Sequence, residues 1–161
     1  MTGKVGQVRW EVENVEGTIE AIAEGVAAAP ATDVATLATA VVGGVGGVEF
    51  TVGASDTGTV ALQLVDHNGD DLAVRGSVFA YLSDDANGDS LAATAPSGGI
   101  AIGTDGLMIP VVADKAFHLV SEADGDIDLL VTEAGGATWY LIVILPNGLR
   151  VASSAIVMVV P

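Results

Sequence analysis

The chain has 161 residues, half of them apolar, and carries 21 acidic residues against five basic ones for a formal net charge of −16. That length suits one ordinary domain with an appendage, or two very small domains, and the apolar share is enough for a packed core, which excludes wholesale disorder. The five cations, Lys4, Arg9, Arg75, Lys115 and Arg150, are scattered, so no basic stripe exists to neutralise phosphates; nucleic acid and anionic membrane are excluded as partners.

No cysteine is present, which removes disulfides and thiolate metal sites and leaves packing or oligomerisation to supply stability. No apolar signal core follows Met1, and the apolar stretch 34–48 is broken by Gly43, Gly44, Gly46 and Gly47, too short and too Gly-rich to span a bilayer. The expectation is a product made in the cytoplasm without classical secretion.

In chain order, Val8, Trp10 and Val12 alternate with Arg9, Glu11 and Glu13 and predict a short half-buried strand. Ile19, Ile22 and Val26 fall at helical spacing up to Pro30; Thr32 or Asp33 then stands as a cap for a second helix carrying Val34, Leu37 and Val41. Both helices are short and Ala-rich, so each needs a partner surface to persist. Residues 43–47, Gly-Gly-Val-Gly-Gly, read as a hinge. Before the hinge the acids are mostly Glu, after Glu49 mostly Asp, a shift from helix-tolerant to turn-forming composition.

From Val48 onward the pattern is all β. Val48, Phe50 and Val52 alternate, as do Val60, Leu62 and Leu64. Asn68-Gly69 is the strongest hairpin signal of the chain. Strands are predicted over 74–82, 100–102, 107–112, 117–120 and 127–131, with a polar loop over 83–89. The apolar run 139–145 reads as a strand buried on both faces, with Trp139 as the core plug, and 151–160 as the closing strand. About seven to nine short strands with turn signals every ~8–12 residues predict an immunoglobulin-like antiparallel β-sandwich. The fold class is thus mainly β, with an N-terminal strand and short helical segment. The predicted division is an anchoring segment over 1–47 and a sandwich domain over 48–161.

The last hundred residues resemble the immunoglobulin-like domains of tailed-phage structural proteins. The likeness is carried by Gln63-Leu64-Val65-Asp66-His67-Asn68-Gly69, Leu72-Ala73-Val74-Arg75, Tyr81-Leu82-Ser83-Asp84 and Ser121-Glu122-Ala123-Asp124-Gly125-Asp126-Ile127. The late stretch Tyr140-Leu141-Ile142-Val143-Ile144-Leu145-Pro146-Asn147-Gly148 belongs to it too. These are turn and core motifs. The resemblance implies virion surface structure and brings no catalytic residues.

Chemistry is sparse. His67 adjoins a turn and His118 takes an outward position in its strand, so both read as surface histidines. A triad with Ser121 lacks any nucleophile-elbow context. Two stretches place oxygen side chains at alternate positions, Asp85, Asn87 and Asp89, and Asp124, Asp126 and Asp128. They are weak calcium candidates: neither matches an EF-hand loop, and turns need the same residue types. No cofactor is expected. The glycine run has no following Lys-Ser/Thr and is no phosphate loop.

The expected function is non-enzymatic: a capsid decoration or cement protein on the outer surface of a virion, binding the major capsid protein and forming a homo-oligomer, a trimer by analogy with symmetric capsid positions. Trp10, Ile19, Ile22, Val26, Leu37 and Val41 are the expected anchoring residues, packed either on their own domain or between subunits. The alternatives are a tail, fibre or cell-surface module that attaches to hosts or glycans, and a calcium-dependent binding protein or enzyme.

Overall fold

The computed structural model describes residues 44–160. The predicted N-terminal strand and helices, and all six expected anchoring residues, lie outside the described residues. Within them are ten strands and no helix: β1 (Gly47–Val52), β2 (Thr59–Val65), β3 (Ser77–Ser83), β4 (Ile100–Ile102), β5 (Leu107–Val112), β6 (Ala116–Val120), β7 (Asp126–Val131), β8 (Ala137–Ile144), β9 (Arg150–Ala152) and β10 (Ile156–Met158). They make two antiparallel sheets, β1-β2-β7-β4 and β10-β8-β3-β6-β5, with β9 also on β8. The sheets pack as a sandwich.

Alternation in the sequence decides which side chains face inward. Val60, Leu62 and Leu64 of β2 and Ile127, Leu129 and Val131 of β7 line the core from the first sheet. Val78, Ala80 and Leu82 of β3, Phe117 and Leu119 of β6, and Leu141 and Val143 of β8 line it from the second. Trp139 is buried among them, as its place in the apolar run predicts.

Three expectations change in detail. The Asn68-Gly69 turn forms: Asp66 Oδ1 accepts from the N–H groups of Asn68 (2.7 Å) and Asp70 (3.1 Å), and Gly69 takes a positive φ of 87°. The returning chain, however, makes a single bridge, Val65 with Asp71, before crossing to the other sheet. The next strand therefore begins at Ser77 rather than Val74 and pairs with β6 and β8. Gly76 permits the crossing, because a Cβ there would stand 2.7 Å from Leu72 and Val45 side-chain atoms.

The closing segment, predicted as one strand, is two. The register of β8 against β9 pairs Ile142 with Ala152, whereas against β10 it pairs Trp139 with Ile156, a slip of one residue. Ser153 occupies the break. Its N–H donates to Leu141 O (2.9 Å), while its Oγ accepts from Leu141 N–H (3.0 Å) in place of a ladder carbonyl.

The glycine run also does more than link. Gly46 N–H donates to Val65 O at 2.9 Å and Gly47 opens β1. A Cβ on Gly46 would lie 2.6 Å from backbone atoms of Asp66 and His67. Close backbone approach at the sheet edge thus requires glycine here.

Candidate functional site

The acidic loops are built as turns. Asp85 Oδ1 accepts from Asn87 N–H (2.6 Å) and Asp85 Oδ2 from Asp89 N–H (3.3 Å), while Asp84 Oδ2 accepts from Ala93 N–H (2.8 Å). Asp124 Oδ1 faces Asp126 N–H at 3.4 Å. Asp126 and Asp128 alternate outward from β7. Burial, and then the carboxylates of Asp124, Asp128, Asp105 and Asp71, raise the pKa of Asp126. Among the described residues no three His, Asp or Glu side chains are grouped to share a cation.

Ser121 is fully buried and committed to structure: its Oγ accepts from Gly76 N–H (2.9 Å) and donates to Glu122 O (2.9 Å). His118 is half-buried on the outward side of β6, and His67 is exposed in its turn. Neither histidine hydrogen-bonds to a serine.

The two outer faces of the sandwich differ sharply in chemistry. On the first sheet, cross-strand rows read Glu49–Gln63–Asp126 and Thr51–Ala61–Asp128. This is an ordinary solvated face. A shallow groove of about 390 Å³ crosses it where Ala61 is small, bordered by Thr51, Thr59, Thr104, Asp128 and Leu130. Thr104 Oγ1 donates to the Asp128 carboxylate, with Asp105 Oδ2 standing 3.1 Å from the same hydroxyl.

On the second sheet the middle outer row reads Ile109–His118–Phe79–Ile144–Arg150, one residue from each of five strands. The row on one side is Leu107–Val120–Ser77. The row on the other is Val112–Ala116–Tyr81–Ile142–Ala152. No carboxylate stands in any of the three, although the chain carries a net −16. Leu107 and Ile109 are 53% and 50% exposed, and Phe79, Val120 and Ile144 are half-buried.

One end of this face is covered by the chain itself. The loop after β3 lies on Ile142, where a Cβ on Gly88 would come within 2.9 Å. Tyr81 Oη and Arg150 Nη1 both donate to Gly88 O and hold the loop down. The covered end explains why Leu141, Ile142 and Val143 are buried in succession, as the apolar run predicted.

Sequence reasoning missed the apolar face. Its signal was the run Leu-Met-Ile-Pro-Val-Val of β5, six apolar residues without alternation. Such a run reads as buried on both faces, yet β5 is an edge strand with only Met108 half-buried. No protein-family model, curated protein or solved structure matches the chain.

Proposed function

We propose that this chain is a non-enzymatic structural protein that works by packing a surface, and specifically a capsid decoration or cement protein of a tailed phage. The observation that carries the surface-packing reading is the division of the sandwich into one acidic, solvated face and one whose strand rows are apolar and hold no carboxylate, Asp89 reaching Arg150 only from the loop at its covered end. Contiguous exposed apolar surface on an otherwise highly charged body marks a contact with another macromolecule.

The virion reading adds the sequence resemblance over the last hundred residues. Sheet order supports it in part: β1-β2-β7-β4 stands as strands A-B-E-D do in immunoglobulin domains, and β8 and β3 stand as F and C, flanked by β10 as G and by two further strands beyond β3. The chain path departs from that pattern. Here β4 precedes β5 and β6, whereas a variable-type domain makes its two added strands before strand D. The likeness is of sheet order, not of connectivity.

In this reading the major capsid protein is the partner, residues 1–47 are the anchor through Trp10, Ile19, Ile22, Val26, Leu37 and Val41, and the sandwich is displayed on the outer shell of an oligomer. A ligand that binds only the intact shell stabilises it by mass action. Particles lacking the protein are therefore expected to assemble but to open at lower temperature or milder osmotic shock. Protein lacking residues 1–47 is expected to stay folded and fail to join heads. Mass spectrometry of purified particles gives the first check, and absence from heads overturns the reading.

A second reading, a host- or glycan-attachment module, is favoured by the groove bordered by Thr51, Thr59, Thr104 and Asp128. It lacks the aromatic side chains on which sugars usually stack. Binding on a glycan array, lost in Asp128→Ala, would select it.

A further inference from the structure

We propose that Asn68-Gly69 is a self-modifying site: the Asn68 side chain closes on the Gly69 nitrogen, sheds ammonia and leaves an isoaspartyl linkage in the turn after β2. The inference is independent of the surface-packing reading.

The chain repeats the Asn-Gly pair at 68–69, 87–88 and 147–148. All three sit in one backbone frame. Each glycine takes a positive φ (87°, 67° and 84°) and donates its N–H three residues back, to Asp66 O (3.1 Å), Asp85 O (3.1 Å) and Leu145 O (2.8 Å). Dipeptide and turn are thus held constant, and only the surroundings differ. Glycine makes the pair reactive, because no side chain shields its nitrogen from the preceding amide and its backbone reaches conformations closed to other residues.

The reaction needs the asparagine Cγ to approach the next backbone nitrogen. At Asn87 the turn is locked. Gly88 is buried against Ile142, and its carbonyl accepts from both Tyr81 Oη and Arg150 Nη1. At Asn147 the side chain is already taken. Its Oδ1 accepts from Leu149 N–H at 2.9 Å, a bond that must break before Cγ can turn to Gly148 N. Leu145 N–H donates to Leu149 O (2.9 Å) and closes that hairpin directly onto the β8–β9 ladder. At Asn68, by contrast, no hydrogen bond holds the side chain among the described residues. Asp66 Oδ1 takes only its backbone N–H, which the reaction does not use. Asn68 and Gly69 are exposed, and nothing stands within 4 Å of where a Gly69 Cβ would be. The returning chain makes the one bridge of Val65 with Asp71, so few contacts resist local opening.

The step needs no co-reactant but water. Gly69 N gives up its proton and bonds to Asn68 Cγ; the Cγ–Nδ2 bond breaks, and Nδ2 leaves with that proton as ammonia. Water then opens the cyclic imide. Opening at Cγ gives an ordinary aspartyl residue. Opening at the backbone carbonyl gives the isoaspartyl linkage, in which the main chain runs through Cγ. Either product adds a negative charge beside Asp66, Asp70 and Asp71. The second also inserts a methylene between the N–H groups of residues 68 and 70, which Asp66 Oδ1 now bridges.

The test is peptide mapping by mass spectrometry of the full chain after incubation in mildly alkaline buffer, folded and in urea. Electron-transfer fragmentation assigns the isoaspartyl linkages. In urea the three pairs are expected to react at similar rates. In the folded chain Asn68 is expected to react first, at least about tenfold faster than Asn87, which reacts only through local opening. Tyr81→Phe combined with Arg150→Met frees the Gly88 carbonyl; it is expected to raise the Asn87 rate and leave the Asn68 rate unchanged, with circular dichroism checking the fold. Folded-chain reaction led by Asn87 or Asn147, equal rates at all three, or no reaction at Asn68 while the unfolded chain reacts, overturns the proposal. So does an Asn87 rate that the double substitution leaves unchanged.

Discussion

Ser153 sits where β9 gives way to β10, and its hydroxyl does the work of a missing carbonyl. It accepts from Leu141 N–H at 3.0 Å and donates to Ser154 O at 2.7 Å, all within the buried wall of the sandwich. Ser153→Ala leaves the Leu141 N–H without that partner, at a cost of about 1–3 kcal/mol. Urea denaturation should show the midpoint fall with the slope unchanged; an unchanged midpoint would mean that water or a shifted backbone replaces the hydroxyl.

Two carboxylates respond to pH in opposite senses. Glu133 accepts from Ser97 N–H (2.7 Å), Ser97 Oγ (2.9 Å) and Gly135 N–H (2.8 Å), and these hydrogen bonds lower its pKa. A depressed folded-state pKa contributes stability above the unfolded value, lost as pH falls through the folded value. Asp126 is raised by burial and neighbouring acids, so its ionisation opposes folding above its folded pKa. Glu133→Ala should therefore lower Tm at pH 7, and the deficit should start to shrink as pH falls below 4.5, the ordinary glutamate value, and be gone only below the lower folded-state value. Asp126→Asn should raise Tm at pH 7 and change nothing below pH 3.8. Thermal melts across that range check both signs.

At the level of elements, turns and crossings carry more constraint than strands do. Between β1 and β2 the chain must turn within reach of β7. Gly58 achieves this with φ at 61°, and its carbonyl accepts from Val131 N–H at 2.8 Å. A Cβ there would lie 1.9 Å from Val131 O. Gly58→Ala thus combines a left-handed backbone with a backbone clash. The expected loss is about 1–3 kcal/mol or more, in the range of stored backbone strain. The same substitution at Gly69, also at positive φ but with open space around it, should cost less. Equal losses at the two sites would show that the clash is relieved by a shift of β7.

The β5–β6 turn has a comparable role across the sheets. Asp114, at a positive φ of 54°, accepts from Ile100 N–H at 3.0 Å and so ties the second sheet to β4 of the first. Lys115 Nζ donates to the carbonyls of Ala92 (3.1 Å) and Ala93 (3.2 Å). A single turn therefore fastens both the sandwich edge and the long loop after β3. Its two charged residues are committed to backbone partners.

For the whole molecule, the described body carries its own complete core, with buried side-chain polar atoms all hydrogen-bonded among the described residues. A fragment over 44–161 should fold alone, giving a β-type circular dichroism spectrum and a cooperative melt. Starting the fragment at 48 instead should cost stability, because Gly46 and Gly47 pair with Val65. An unfolded 44–161 fragment would show that residues 1–43 complete the core.

Much of this architecture was legible without coordinates. Period-two alternation in 60–64 and 127–131 assigned the core faces, because a strand beside a dry core must alternate. Trp139 was placed in the core for a different reason, its position in an uninterrupted apolar run that reads as a strand buried on both faces. Asp, Asn and Gly at 66–69 and 84–89 announced turns, since these residues satisfy their own backbone. Local pattern could not say which strands pair. The Asn68-Gly69 turn is present, yet the strands around it belong to different sheets, and pairing is decided by non-local packing. Nor could pattern distinguish an apolar strand buried on both faces from one left at an edge: β5 and β8 are alike in composition, and only their neighbours separate them. The apolar face exists because tertiary structure aligned Ile109 and His118 of the β5–β6 hairpin with Phe79 and Ile144 of two strands distant from it in sequence. The sequence alone determined that there would be a β-sandwich and a charge of −16; the fold alone decided where that charge would be missing.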